Sequence, residues 1–258
     1  MSTIEIESDG PLAVLTIDSP PLNLFTRELI SELSEAVDRI VAEPPRCLLI
    51  RAAGRAVSGG VDVHLFDGLS PAAAAALWRE LLGLIHRVEE LPLPTVFAAH
   101  ALCLTAAFEL SLGCDLLLAA ESARFGLVET VVGLTPAMGG TQRLAERAGP
   151  ARARELVMTG ELYDAATLER WNVVNRVLPD AGFDAAARAF ALGLASGPTR
   201  AHAATKGIVR AGLEGGGARA ADERVPELAG ELFASEDLQN AVRSFLRHGP
   251  GHASYEGR

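Results

Sequence analysis

Two glutamates stand alone in stretches that hold no other charge: Glu109 in "HALCLTAAFELSLGC" and Glu129 in "FGLVETVVGLTPAMGG". Burying a carboxylate without a partner costs several kcal/mol, of order 2–7 even for neutral polar groups, so each placement calls for a reason. One is chemical: two carboxyls about one site can share general acid and base work. The other is structural, with Glu109 as a buried ion-pair partner and Glu129 facing solvent near a loop. The remaining candidates are weaker. The Gly59-Gly60 pair in "RAVSGGVDV" matches neither GxGxxG nor GxxxxGK[ST], which leaves an ordinary turn. Ser58 lacks a GxSxG elbow, and His64 and His100 have no second ligand at metal spacing, so neither a serine nucleophile nor a metal site is expected.

These residues need elements to hold them. "TIEIES", "DGP" and "LAVLTID" predict an N-terminal hairpin, and "TRELISELSEAVDRIVAE" places Leu29, Leu33, Val37 and Ile40 at helical spacing. "RCLLIRAAG" reads as a buried strand. "SPAAAAALWRELLGLIHRVEELP" reads as a long helix capped by Ser70, with Pro71 at its first position. Strand "TVFAA", a helix starting at "TAAFE" and strand "DLLLAA" follow. "TPAMGGTQRLAERAG", "PARARELVMTG" and "DAATLERWN" predict short helices, "VVNRVLP" a strand, and from about 185 onward the chain reads as helical, ending in the "DLQNAVRSFL" helix and a Gly/Pro-rich tail.

Composition excludes several classes. A chain of 258 residues, 49% hydrophobic and 22% charged, can bury a large core. The formal charge of −10, with Lys206 the only lysine, argues against nucleic-acid binding. No apolar run approaches the ~20 residues that span a bilayer, and the acidic, strand-like N-terminus has no targeting character, so a soluble cytoplasmic protein without a membrane partner is expected. Cys47, Cys103 and Cys114 are odd in number and set in apolar surroundings, as reduced buried thiols are.

Together, "SGGVD", "TAAFELSLGCD" and "FGLVETVVGLTPAMGGTQRL" resemble the enoyl-CoA hydratase/isomerase family, the crotonase superfamily. The resemblance runs from "PPLNLF" through "ELVMTGELYDAATLERWNVVNRVLP" to "SEDLQNAVRSFL", and its most specific part is the block that ends in "GGTQRL". It implies an α/β fold, a crotonase-like spiral of ββα turns over residues 1–190, followed by a C-terminal helical trimerisation region over 191–258. A homotrimer or dimer of trimers is implied with it.

The resemblance also implies the chemistry. A thioester carbonyl gathers charge as an enolate, and two backbone N–H groups aimed at it lower the barrier by about 3 kcal/mol or more. Those donors fall on Val61 and Ala106. Glu109 and Glu129 fall on the glutamate pair of the hydratases, Glu129 as the acid toward the α-carbon and Glu109 as the base that orients water. Substrate contacts fall on Leu22, Leu24, Gly59, Gly60 and Asp62. The phosphates of coenzyme A, which is part of the substrate rather than a cofactor, are assigned to Arg55 and to Arg243 and Arg247, four apart on one helix face; the plainer reading of these arginines is solvated surface charge. The expected activity is syn hydration of a 2-enoyl-CoA. The alternatives are another acyl-CoA reaction on the same scaffold (isomerisation, dehydration or thioester hydrolysis) and a non-catalytic CoA-binding subunit. One departure stands out: "HALCLTAAF" puts His100, Ala101, Thr105, Ala106 and Ala107 where relatives usually carry Asn or Gly.

Overall fold

The computed structural model describes residues 3–258. The N-terminal hairpin forms from β1 (Ile4–Asp9) and β2 (Leu12–Ile17), and Thr26 caps α1 (Arg27–Ala42) by accepting from Leu29 N–H. β3 (Cys47–Ala52), α2 (Pro71–Glu89), β4 (Thr95–Ala99), β5 (Leu102–Leu104), α3 (Thr105–Leu112), β6 (Leu116–Ala120) and β7 (Arg124–Gly126) follow. Ser70 caps α2 with Pro71 inside its first turn, as its sequence predicts. The chain continues through α4 (Gly140–Ala148), α5 (Pro150–Thr159), β8 (Tyr163–Asp164), α6 (Ala165–Arg170), β9 (Arg176–Leu178) and α7 (Phe183–Ala195). It ends with α8 (Thr199–Glu214), α9 (Ala218–Glu231) and α10 (Glu236–His248).

Two sheets result. The larger has strand order β1-β2-β3-β4-β6-β9, antiparallel only at the hairpin and parallel across the rest. Its register lines up Leu15, Ile50, Phe97 and Leu117 across four strands, all fully buried, and burial on both faces explains why these strands read as unbroken apolar runs. The smaller sheet, β5-β7-β8, has no counterpart among the elements expected from the sequence. A second difference lies at 135–139. Expected as the start of a helix, it is an irregular segment, and α4 begins only at Gly140. Both differences matter, because β5 and this segment position the acids.

Among the described residues no helix is long and apolar enough to cross a membrane. The three cysteines are buried and unbridged.

Candidate active site

The site begins with the segment after β3. Ser58 pairs with Cys103 in a parallel bridge, with Val57 and Ser58 N–H donating to Leu102 and Leu104 N–H to Ser58. Two residues on, the two segments stay close: a methyl group added to Gly60 would stand 2.6 Å from Thr105 Oγ1. Gly60 also has φ +107, so two requirements hold this position to glycine.

The bridge of Phe25 with Val61 uses Phe25 N–H to Gly60 and Asp62 N–H to Phe25, so the N–H of Val61 itself takes no part in it. Ala106 lies in the first turn of α3, where a helix N–H has no intrahelical acceptor, and α3 carries no side-chain cap. Ala106 and Glu109 are three residues apart and share a helix face.

The other residues expected here divide into two groups. Leu22 C=O accepts from Gly59 N–H at 2.8 Å, and Leu22 and Leu24 side chains would meet a Gly59 methyl at 3.3 and 3.2 Å, so "PPLNLF" folds directly onto the glycine turn. Asn23 fixes it there by donating to Ala53 and Ala56 carbonyls. Ser58 is a staple rather than a nucleophile: fully buried, its Oγ donates to Asn23 C=O at 2.7 Å and accepts from Gly60 N–H at 2.9 Å. Asp62 is engaged locally, capping the following 3-10 turn and pairing with His64 at 2.6 Å. His100 is bonded through Nε2 to Gly54 C=O. Arg55 is exposed near the turn. Arg243 and Arg247 are exposed on α10, and Arg243 bonds Asn240 of its own helix. Within one chain α10 packs against the turn that precedes it, so these two arginines are not gathered with the acids.

Glu109 is 2% exposed. Its Oε2 accepts from Met138 N–H at 2.8 Å and Gly140 N–H at 2.7 Å, which uses one oxygen and leaves Oε1 for other work. Burial pushes its carboxyl up to about 7, against the pull of the amides of the 137–140 segment and of the Arg143 guanidinium. Glu129 follows β7 on a short 3-10 turn, Glu129–Val132. Its Oε2 is buried and accepts no hydrogen bond among the described residues; burial first, and the charge of Glu109 second, push this carboxyl up to about 8. Both carboxyls are therefore held near neutrality, chiefly by burial.

Two neighbours of the acids have no role assigned from sequence. Arg143, in the quoted "GGTQRL", is 7% exposed and donates through Nε and Nη2 to the two carboxylate oxygens of Glu89. Thr105 adopts φ +45, a left-handed conformation that a β-branched residue resists, and its buried Oγ1 has no partner. Thr105 is visible in sequence as a departure from the Gly-rich pattern, and Arg143 as the one charge in an otherwise small and polar motif.

An α/β chain in which a glycine turn lies against a helix start, with one buried acid on that helix and a second on the turn after β7, has the crotonase architecture. The comparisons agree. The model of a family described as Enoyl-CoA hydratase/isomerase matches residues 7–255. A Rhodobacter capsulatus protein named "Probable enoyl-CoA hydratase" is 34% identical over 254 residues, 97% of each chain. A "Crotonyl-CoA hydratase" of Syntrophomonas wolfei is 32% identical over 181 residues, 68% of each chain. The crystal structure of an enoyl-CoA hydratase from Bacillus anthracis matches with a TM-score of 0.91 at 25% identity, covering 99% of this chain and 100% of that one. The chain belongs to the enoyl-CoA hydratase/isomerase family.

Proposed function

We propose that the protein is an enoyl-CoA hydratase that adds water syn across the double bond of a 2-enoyl-CoA thioester. The observation that carries this reading is the acid pair: one carboxyl tethered by two amides through a single oxygen, the other with a buried, unbonded oxygen, both near neutrality. In the proposed cycle Val61 and Ala106 N–H groups take the thioester oxygen as it gathers enolate charge. Glu109 accepts a proton from the attacking water through Oε1, and Glu129, the acid with the higher value, delivers one to the α-carbon. A proton then passes from Glu109 back to Glu129 to reset the pair, and no external cofactor is required.

Loss of the conjugated thioester absorbance, followed over a panel of 2-enoyl-CoA esters of increasing chain length, tests the reading. Glu109→Gln and Glu129→Gln should each lower kcat by about 10²-fold or more. Both variants hydrating at the wild-type rate would overturn it. The pH profile should be bell-shaped, rising as Glu109 ionises toward about 7 and falling as Glu129 loses its proton toward about 8. A second reading, isomerisation or hydrolysis of an acyl-CoA on the same scaffold, draws on Thr105, whose side chain crowds the turn between the two donors. Including a 3-enoyl-CoA and a saturated acyl-CoA in the panel separates these activities.

A further inference from the structure

The hydratase reading leaves open what holds Glu109 in place. The amides that grip it belong to an irregular segment, and such a segment keeps its geometry only if something outside it supplies rigidity. Arg143 is the group in position to do so. From the first turn of α4 its Nη1 donates back to Gly139 C=O at 3.3 Å, and it lies so flat on Gly139 that a methyl group there would be 2.1 Å from Nη1. Gly139 has φ +98, which aims the next amide, that of Gly140, at Glu109. Glu89, at the C-terminal end of α2, holds the guanidinium in turn: Nε donates to its Oε1 at 3.1 Å and Nη2 to its Oε2. A planar fork bound on two edges fixes orientation as well as charge, which a lysine cannot do.

We propose that Arg143 is a positioning residue for the reaction: clamped by Glu89, it fixes the Gly139-Gly140 turn whose amides hold Glu109 in its working orientation. The proposal rests on the hydratase reading for the word reaction, but its geometry does not depend on it. Charged groups around Glu109 among the described residues are Arg143 on α4, Glu129 on the turn after β7 and, behind Arg143, Glu89 on α2. β5 brings only Cys103, which burial keeps as a thiol; Arg124 of β7 is exposed and bonded to the carbonyls of Ser122 and Ala123.

The test compares Arg143→Met, Arg143→Lys and Glu89→Gln. Arg143→Met removes both the fork and the cation. Its kcat on crotonyl-CoA should fall about tenfold with KM little changed. The acidic limb of its profile should move up by about half a pH unit or more, because a cation that favoured ionised Glu109 is gone. Arg143→Lys keeps the charge and should return the limb toward its wild-type position without restoring kcat. A merely structural role would lower Tm in both variants and leave the limb where it was, and that result overturns the proposal. Carboxyl 13C NMR of labelled Glu109 in a Glu129→Gln background reads the same shift without turnover. Failure of the wild type to hydrate any enoyl-CoA would therefore remove the hydratase reading, while an unmoved Glu109 titration in Arg143→Met would remove this one. Should Arg143→Met not fold, Glu89→Gln loosens the clamp with Arg143 still present; kcat should drop about threefold, and an unchanged kcat counts against the proposal.

Discussion

At the scale of single residues, the acids that serve the proposed chemistry also carry a cost that pH exposes. Glu109 has a folded-state value of about 7 against an ordinary 4.5, so the folded chain holds this proton more tightly than the unfolded chain does. Its contribution to stability is therefore complete below pH ~4.5 and is lost as pH climbs through about 7, on the order of 3 kcal/mol in all. Glu109→Gln, whose amide oxygen can still accept from Met138 and Gly140, should be more stable than the wild type in urea at pH 9. The advantage should shrink toward pH 5; a variant less stable at pH 9 would mean that the carboxylate is better accommodated than its burial implies. Thr105 is a second local cost, a β-branched residue at φ +45 with an orphan buried hydroxyl. Such strain is worth roughly 1–3 kcal/mol, against about 1 kcal/mol for the added freedom of an unfolded glycine, so Thr105→Gly should hold or raise Tm in a thermal melt. The acids were legible because a lone charge in an apolar stretch needs explaining. Arg143 was not, because an arginine's partner is set by where α2 ends relative to α4, which no local pattern encodes.

At the scale of elements, legibility largely followed length, with the three-residue β9, foreseen inside the longer run "VVNRVLP", as the exception. The hairpin, α1, β3, α2, β4 and β6 were foreseeable because each has a run long enough to show its period. β5, β7 and β8, of three, three and two residues, are too short to show one, and they pair only because the turns bring them together. The 135–139 segment fails as a helix for a tertiary reason: the amide of Met138 and that of Gly140 just beyond it turn toward Glu109 instead of into a helical ladder. Two helical glycines separate packing from propensity here. At Gly140 an added methyl would stand 2.6 Å from Glu109 Cγ, so Gly140→Ala must push α4 from α3; it should cost about 1–3 kcal/mol and impair turnover. Gly83, inside α2, has nothing within 4 Å of such a methyl, and Gly83→Ala should raise stability by about 0.5–1 kcal/mol with activity intact. Urea midpoints for the two variants moving in the same direction would contradict this account.

At the scale of the whole molecule, the question is how a chain of net charge −10 would hold a coenzyme that carries phosphates. The C-terminal region is held in a fixed place. Arg46 donates to Tyr255, Gly197 and Thr199, and Asp237 accepts from Glu256 and Gly257 N–H, so the tail is tied back onto the body beside α10. α10 leaves Val242, Phe245 and Leu246 exposed at 49, 58 and 78%, a face suited to the trimer that the family resemblance implies. Phe245→Asp combined with Leu246→Asp should therefore shift the sedimenting species toward monomer. Arg243 and Arg247 stand on the same helix, and within one chain they meet neither acid, so any service to substrate would come through the distant nucleotide end of CoA rather than the acyl group. Exposed arginines usually contribute little, and the experiment has to separate phosphate contact from solvation and from assembly. Replacing both with alanine should raise KM for an enoyl-CoA several-fold and leave KM for the matching enoyl-pantetheine, which lacks the nucleotide phosphates, nearly unchanged. A rise in both would trace to disturbed packing or assembly, visible in sedimentation, and a rise in neither would make the pair ordinary surface charge.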